Sequence, residues 1–354
     1  MNAIELKGVV KHFPHFTTGP LDLTVEHGQF FGIFGPPSAG KTSLLKLITG
    51  LLSQDEGIVK LGGKDAGVID VAHRNIGMVF QNLALFPHMT GRENIVFPLM
   101  ERGSSASDIA MRVRSVSEAL HVSHILDKYP AQMSGGERQR IALGRALACD
   151  SRAILLDEPI AALDARLREQ TRSELKRLQR ANGQTFVYVS HDEEEVMAIS
   201  DKVAVMIDGQ IAQVGTPDEI YNQPSSLAVA KVIGSPPMNL FAGRYSADGR
   251  QFEVDGFEEP VTISVSGLPG TVGTLGIRPE DIHLSGNDDG IPVKVISIEP
   301  LGGHTIVNAV LAGLPVKIRT KGWITNSEEL APRAFFDPRR LHLFDEAGTR
   351  LLTS

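Results

Sequence analysis

The stretch Gly35 to Thr42, G-P-P-S-A-G-K-T, has the spacing Gly-x4-Gly-Lys-Thr. Gly35 and Gly40 let the backbone curl until successive N–H groups point into one concavity, and a helix starting at its end adds the positive pole of its dipole. Such a concavity holds phosphate. Lys41 is then placed to reach the β- and γ-phosphates of a nucleotide, and the Thr42 hydroxyl to ligate magnesium. An ordinary glycine-rich turn is the bland alternative. The strand-like run before the loop and the helical spacing after it argue against that.

Further polar groups fall where a bound triphosphate would need them. Ala153 to Pro159, A-I-L-L-D-E-P, is an apolar run ending in Asp157 and Glu158. A continuous hydrophobic run of this length suits a buried parallel strand, and acids at the carboxyl end of such a strand lie in the ligand crevice. Asp157 is expected to hold magnesium through water, and Glu158 to orient or deprotonate water. The alternative is two acids capping the next loop. His191 follows the apolar run Thr185 to Val189 and falls at the same sheet edge, where a role on the γ-phosphate is preferred over a structural one. Gln81 follows the run Ile76 to Phe80. Ser134-Gly135-Gly136 opens a helix with Ser134 as N-cap and two glycines that leave the first N–H groups uncovered, a second anion-ready helix start. Taken alone, that pattern is usually just a cap. Phe13, in the loop Phe13-Pro14-His15-Phe16, is an exposed aromatic for stacking on a base, with a core-facing phenylalanine as the alternative.

The elements that must position these groups are legible around them. Gln29 to Phe34 is a short apolar run of strand length, and Leu44, Leu47, Ile48 and Leu51 repeat at helical spacing after the loop. Residues 4–10, 21–26, Gly57 to Leu61 and Ile76 to Phe80 read as strands. Leu83 to Asn94, with Pro87 and Gly91, reads as a partner-facing loop. Ala106 to Leu126 is helical, with Ile109, Val113, Val116, Leu120 and Ile125 apolar. Leu143, Ala146 and Leu147 stripe the helix after Ser134, and Leu167, Thr171, Leu175 and Leu178 stripe one that ends at Asn182-Gly183. Residues 203–213 form a hairpin around Asp208-Gly209, and Thr216-Pro217 starts a short helix.

After Ser235-Pro236-Pro237 the texture changes to short strands, Val261 to Val265, Thr274 to Arg278, Ile291 to Ile298 and Leu314 to Arg319. Turns at Pro269-Gly270, Asp289-Gly290 and Ala312-Gly313 separate them. Val316 and Ile318 alternate with Lys317 and Arg319, as on a half-buried strand. This half reads as a small, barrel-like β domain without a metal cluster or catalytic constellation, and Trp323 reads as a packing residue.

Composition narrows the function class. The chain has 354 residues, enough for two domains at roughly 100–200 residues each. A formal net charge of −7 argues against a general nucleic-acid binder, which needs a basic face. The single cysteine, Cys149, cannot form an internal disulfide, the N-terminus lacks a signal-peptide layout, and a reducing cytoplasm fits best. No apolar run approaches the ~20 residues needed to span a bilayer, so membrane work would require another anchor.

The ordered set G-P-P-S-A-G-K-T, Gln81, M-S-G-G-E, I-L-L-D-E-P, A-L-D and His191 resembles the ATPase subunit of an ATP-binding-cassette (ABC) transporter over residues 1–235. Residues 236–354 are similar to the regulatory β domain of importer ATPases of the maltose and sn-glycerol-3-phosphate branch, through I-G-S-P-P-M-N at 233–239 and L-G-I-R-P-E at 275–280. The resemblance implies an α/β P-loop NTPase cassette with a helical subdomain at about 85–150, followed by an all-β, OB/TOBE-like domain. It implies ATP and Mg2+, with Phe13 on adenine, Gly35, Pro36, Pro37, Ser38, Ala39, Gly40, Lys41, Thr42 and Ser43 around the phosphates, and Thr42, Gln81 and Asp157 near the metal. Glu158 would be the catalytic base, Gln81 would sense the metal and attacking water, and His191 would contact the γ-phosphate. Ser134, Gly135, Gly136 and Asp164 would belong to the nucleotide site, with Ser134 and Gly136 closing over ATP held by an opposing subunit.

The partners implied are a second cassette, identical or paralogous, and two membrane permease subunits met through Leu83–Asn94. A solute-binding protein would act indirectly, at the cytoplasmic face of a bacterial-type inner membrane. The reaction implied is ATP hydrolysis driving uptake of a sugar, polyol or glycerol-phosphate-type solute. Sulfate, polyamine, iron or molybdate import is the alternative within transport, and a soluble cassette ATPase or a purely regulatory protein the alternative outside it. The sequence departs from the branch at Pro37, Ala39, Glu137 and Ala161-Ala162, while every catalytic position is filled. Glu137 adds negative charge near a bound polyphosphate.

Overall fold

The uninterrupted apolar runs of the first half become the centre of one sheet. The computed structural model describes residues 2–161, 163–263, 269–285, 290–326 and 333–351, in two compact units, Met1–Asp218 and Glu219–Ser354. The first unit runs β1 (Asn2–Phe13), β2 (Phe16–Glu26), β3 (Phe30–Phe34), α1 (Lys41–Thr49), β4 (Glu56–Leu61), β5 (Lys64–Asp65), β6 (Ile76–Val79), α2 (Gly91–Glu101), α3 (Ala106–Ala119), α4 (Gly135–Ala148), β7 (Ala153–Asp157), α5 (Ala165–Asn182), β8 (Thr185–Ser190), α6 (Glu193–Ile199), β9 (Lys202–Ile207) and β10 (Gln210–Gly215).

The main sheet has the order β10-β9-β3-β8-β7-β6. Its strands are parallel except β10, which pairs antiparallel at the edge. Every residue of β3, β7 and β8 is buried, as strands covered on both faces require. A second, antiparallel sheet has the order β2-β1-β4-β5. Leu44, Leu45, Leu47 and Ile48 of α1 share one core with Ile4, Leu6, Leu21 and Leu23 of the antiparallel sheet and Ile33, Leu155, Val187 and Val189 of the main one. Burying each such side chain contributes about 1.5–3 kcal/mol, so the start of α1, and the loop before it, is fixed from both sides. Leu51 does not join this stripe. The helix stops at Gly50, whose φ is 80°, and Leu51 beyond it is exposed.

The helices α2, α3 and α4 pack on one another through Ile95, Val113, Val116 and Ile141, all buried. A Cβ on Gly144 of α4 would come within 3.2 Å of the Ile95 and Val116 side chains, so the helices cross closely there. The segment read as a partner-facing loop ends earlier than expected, because α2 begins at Gly91 with Thr90 and Glu93 forming a capping box. Asn94 is fully buried. Its Nδ2 donates to the carbonyls of Phe86, Met89 and Thr90 while its Oδ1 accepts from Phe86 N, so Asn94 stitches the loop together and faces inward.

The second unit takes in α7 (Pro217–Asn222) from Glu219 onward, followed by α8 (Leu227–Val232), β11 (Asn239–Tyr245), β12 (Gln251–Val254), β13 (Val261–Thr262), β14 (Val272–Ile277), β15 (Ile282–Ser285), β16 (Ile291–Pro300), β17 (His304–Leu311), β18 (Leu314–Lys321), β19 (Arg333–Phe336) and β20 (His342–Asp345). Two five-stranded sheets, β13-β12-β11-β14-β20 and β15-β19-β16-β17-β18, enclose one core containing Phe241, Phe252 and Leu275 from the first and Val307, Val316 and Phe336 from the second. This compact unit takes in α8, ahead of Ser235-Pro236-Pro237: Leu227 and Ala230 pack against Met238, Leu240 and Phe344. Trp323 is 64% exposed, contrary to the packing role expected of it. It lies past the end of β18, where no strand register turns it inward. The expected turn at Asp289, the end of the strand read to Val265, and Ala162 lie outside the described residues.

Candidate functional site

Because β3, β7 and β8 are parallel, their carboxyl ends meet at one edge, where Phe34 is in register with Ser190 and Asp157 with Val189. A cleft of ≈ 400 Å³ opens there, lined by Phe13, Phe16, Pro37, Ser38, Ala39, Gly40, Lys41, Thr42, Ser43, Gln81, Asp157 and Glu158.

The loop 35–40 is shaped by contacts that exclude side chains. A Cβ on Gly35 would stand 2.1 Å from Met206 O, and Gly40, the N-cap of α1, has φ 94°. Lys41 is buried, and its Nζ donates to Gly35 O (2.7 Å) and Pro36 O (2.8 Å). Burial lowers the lysine pKa, against the opposing attraction of Glu158 and Asp157. The β9–β10 turn supports the loop from outside, with Gly209 N donating to Ala39 O (3.2 Å) and Gly209 O accepting from Gly19 N (2.8 Å). The Asp208-Gly209 turn was legible in the sequence; its role as a buttress was not, since nothing local connects it to residue 39.

At the strand ends the Thr42 hydroxyl donates to Asp157 Oδ2 (3.0 Å). Asp157 is buried, and burial pushes its carboxyl above the usual range. The pair fits magnesium: two hard oxygen donors stand side by side at the mouth of the phosphate loop, and this ion keeps several waters and takes substrate phosphates as its other ligands. Among the described residues no group of three His, Cys, Asp or Glu side chains is arranged to hold a metal by itself.

Glu158 is held from several directions. His191 Nδ1 lies 2.8 Å from its Oε1, and Gln81 Nε2 donates to its Oε2 (3.3 Å). The Glu158 backbone is left-handed, φ 49°, a conformation rare for a residue with a Cβ. Its N–H donates to Val189 O (2.9 Å) and its carbonyl accepts from Gln139 Nε2 (3.4 Å). Sequence reasoning did not single out Gln139, which looks like one polar residue among several in α4. Behind His191, buried Glu195 accepts from Tyr188 Oη (3.0 Å) and Ser190 Oγ (2.8 Å). The Nε of Arg168 is 3.4 Å from Glu195 Oε1, and its Nη2 donates to Leu163 O. The turn before α5 is thereby tied to the strand end that carries His191.

Phe13 and Phe16 stand 6.4 Å apart, centroid to centroid, across the β1–β2 turn. The sequence favoured Phe13 alone; both line the cleft. Asp55 pins this hairpin by accepting from Lys11 Nζ and from His12 N, each at 2.7 Å.

Ser134, Gly135, Gly136 and Asp164 do not line the cleft. Ser134 Oγ accepts from Glu137 N (3.2 Å), and Glu137 Oε2 accepts from Ser134 N (2.7 Å). A Cβ on Gly136 would meet Leu163 Cδ2 at 2.9 Å, and Asp164 caps α5 by accepting from Leu167 N.

Residues 18–161 match the ABC transporter family, 234–282 the MalK OB fold domain and 275–322 the TOBE domain. The chain is 40% identical to the sulfoquinovosyl glycerol transport ATP-binding protein SmoE of Agrobacterium fabrum, covering 93% of each chain. It is 39% identical to the sn-glycerol-3-phosphate import ATP-binding protein UgpC of Rhizobium meliloti, covering 99% of this chain and all of the relative. The ATP-binding cassette MJ0796, solved as a dimer in a post-hydrolysis state with ADP and Pi, superposes with a TM-score of 0.56 at 29% identity, over 60% of this chain and 98% of that one. Among the described residues no helix is long and apolar enough to cross a membrane.

Proposed function

This chain belongs to the ATPase subunits of ABC transporters, and from that premise we propose that it binds and hydrolyses ATP at a cassette dimer interface to drive import of a sugar, polyol or glycerol-phosphate-type solute. The observation that carries this is the convergence of Lys41, Thr42, Asp157, Glu158 and Gln81 on one cleft, with His191 on the Glu158 carboxylate.

In this reading Lys41 leaves the loop carbonyls for the β- and γ-phosphates, Phe13 and Phe16 take the adenine, and Glu158 accepts the proton of an attacking water that Gln81 and His191 help to orient. Bound magnesium supplies charge neutralisation of the transferred phosphoryl group; Thr42 and Asp157 are the residues that would hold it. Ser134, Gly135, Gly136 and Asp164 lie away from the chain's own cleft because they serve the nucleotide of a second cassette, as the dimeric state of MJ0796 suggests. The segment 83–90 faces the membrane partners at the cytoplasmic side of the membrane. Solutes of the kind named in SmoE and UgpC, polar glycerol conjugates, are the substrate class favoured.

Two measurements test the proposal. Glu158→Gln binds ATP with near wild-type affinity and loses nearly all hydrolysis; retained turnover refutes the assignment of the base. The purified chain co-isolates with two polytopic membrane proteins from its native membrane, and reconstituted vesicles take up a glycerol conjugate only with ATP. Uptake of sulfate or a polyamine instead would move the chain to another branch.

A further inference from the structure

The loop that follows Gln81 is clamped by one side chain. Arg145, in the last turn of α4, donates from Nη1 to Ala84 O (2.6 Å) and from Nη2 to Leu83 O (2.9 Å). Its guanidinium carbon stands 5.7 Å from the centre of the Phe86 ring, and that ring is 4.8 Å from Phe97 of α2. Leu83 and Ala84 are both left-handed, with φ 62° and 46°. Two consecutive residues with side chains adopt that conformation only where the surroundings over-determine it.

The local bonds are short-range, Leu83 N to Phe80 O and Ala84 N to Asn82 O, and do not tie the loop to the rest of the unit. Arg145 does. Its planar fork matches two adjacent carbonyls, a geometry that a lysine ammonium does not reproduce. Burial lowers the guanidinium pKa, and among the described residues no carboxylate pairs with it, so the carbonyls and the ring are what compensate the charge.

We propose that Arg145 is a positioning residue for hydrolysis: by clamping Leu83 and Ala84 it fixes the loop in which Gln81 reaches the Glu158 carboxylate. The inference rests on the reading that Gln81 and Glu158 serve ATP hydrolysis. Arg145 touches neither nucleotide nor water; it acts through Gln81. Since α4 also begins at Ser134, a displacement of that helix is carried directly to the Gln81 loop of the same chain.

The test uses the full chain assembled with its membrane partners. Arg145→Met should lower kcat roughly 10- to 100-fold, the cost of a small misplacement near the chemistry, with KM for ATP changed by less than about twofold; Arg145→Lys should restore only part of it. In the double variant Arg145→Met/Gln81→Ala, kcat should be no lower than in Gln81→Ala alone, because residues acting as a unit are not additive. Multiplying effects would mean a merely structural role and overturn the proposal. Amide hydrogen exchange of residues 82–85 should accelerate in Arg145→Met while β7 and α4 stay protected, and an unchanged loop would overturn it equally. If the wild type hydrolyses no ATP, the functional reading falls, while the exchange experiment still judges the clamp.

Discussion

His191 Nδ1 and Glu158 Oε1 are 2.8 Å apart, although 33 residues separate them and neither strand carries both. The contact arises because β7 and β8 are adjacent and parallel, so their terminal side chains share an edge. The imidazole fixes one oxygen of a carboxylate whose other oxygen is held by Gln81. His191→Ala should therefore lower kcat by roughly 10²-fold, within the range usual for general-base positioning, and leave equilibrium ATP binding within a few-fold. In Glu158→Gln/His191→Ala, turnover should be no lower than in Glu158→Gln. An additive loss measured by steady-state kinetics would separate the two residues.

Asp157 is a case of function opposing stability. Its folded pKa is raised above the ordinary 3.8, chiefly by burial. The native state is thus favoured by protonation, and the ionised form costs stability once the pH exceeds the unfolded value and more fully above the folded one. Asp157→Asn should abolish magnesium-dependent hydrolysis and yet raise Tm at pH 7 by roughly 2–4 °C, the shift that about 1 kcal/mol produces in a domain of 150–250 residues. Calorimetry should find that gain shrinking as the pH falls toward 3.8 and gone below it. A destabilised variant at pH 7 would contradict the burial argument.

Phe13 and Phe16 flank the same cleft, so single alanine substitutions at either should raise KM for ATP with little change in kcat. Base stacking contributes roughly 1–3 kcal/mol, which places the loss at about 5- to 150-fold if one ring carries it, and less for each if they share it. Asp55→Asn, which removes a charge-assisted bond to the hairpin, should weaken nucleotide binding more mildly. Fluorescent nucleotide titration distinguishes these outcomes.

Glu137 completes the capping box of α4 through Ser134 N, and that bond, with the Ser134 hydroxyl, keeps its carboxyl below the usual range. It is therefore ionised beside a helix start proposed to cover a polyphosphate. Glutamine fills the same cap position equally well. Glu137→Gln should leave Tm unchanged and strengthen ATP-dependent dimerisation of a hydrolysis-deficient Glu158→Gln chain, read by light scattering. Weaker dimerisation would show that the charge is neutralised within the closed dimer.

Much of the site was legible because its signals are local. Gly35, Gly40, Lys41 and Thr42 are adjacent in sequence, and the strand before them and the helix after them announce themselves by apolar period. Asp157, Glu158 and His191 each end an uninterrupted hydrophobic run, and such runs in a parallel sheet must finish at a common edge. The missed helix α2 had its own signal, the Thr90-to-Glu93 capping box, masked by Pro87 shortly before it and Gly91 within it. Ser235-Pro236-Pro237 punctuates the sequence more loudly than α8, whose small apolar stripe finds its partners only in the folded unit, in Met238 and Phe344.

The sequence by itself determined which groups could do chemistry here, the order of strands and helices that present them, and the kind of phosphate chemistry they suit. Only the tertiary structure decided which of those groups meet. Gly209 under Ala39, Gln139 on the Glu158 carbonyl and Arg145 on the carbonyls of Leu83 and Ala84 are contacts between segments remote in the chain, and the separation of Ser134 from Lys41 is likewise a matter of distance. Period and propensity depend on near neighbours along the backbone. Contacts such as these depend on how whole elements pack, which no short window of residues encodes.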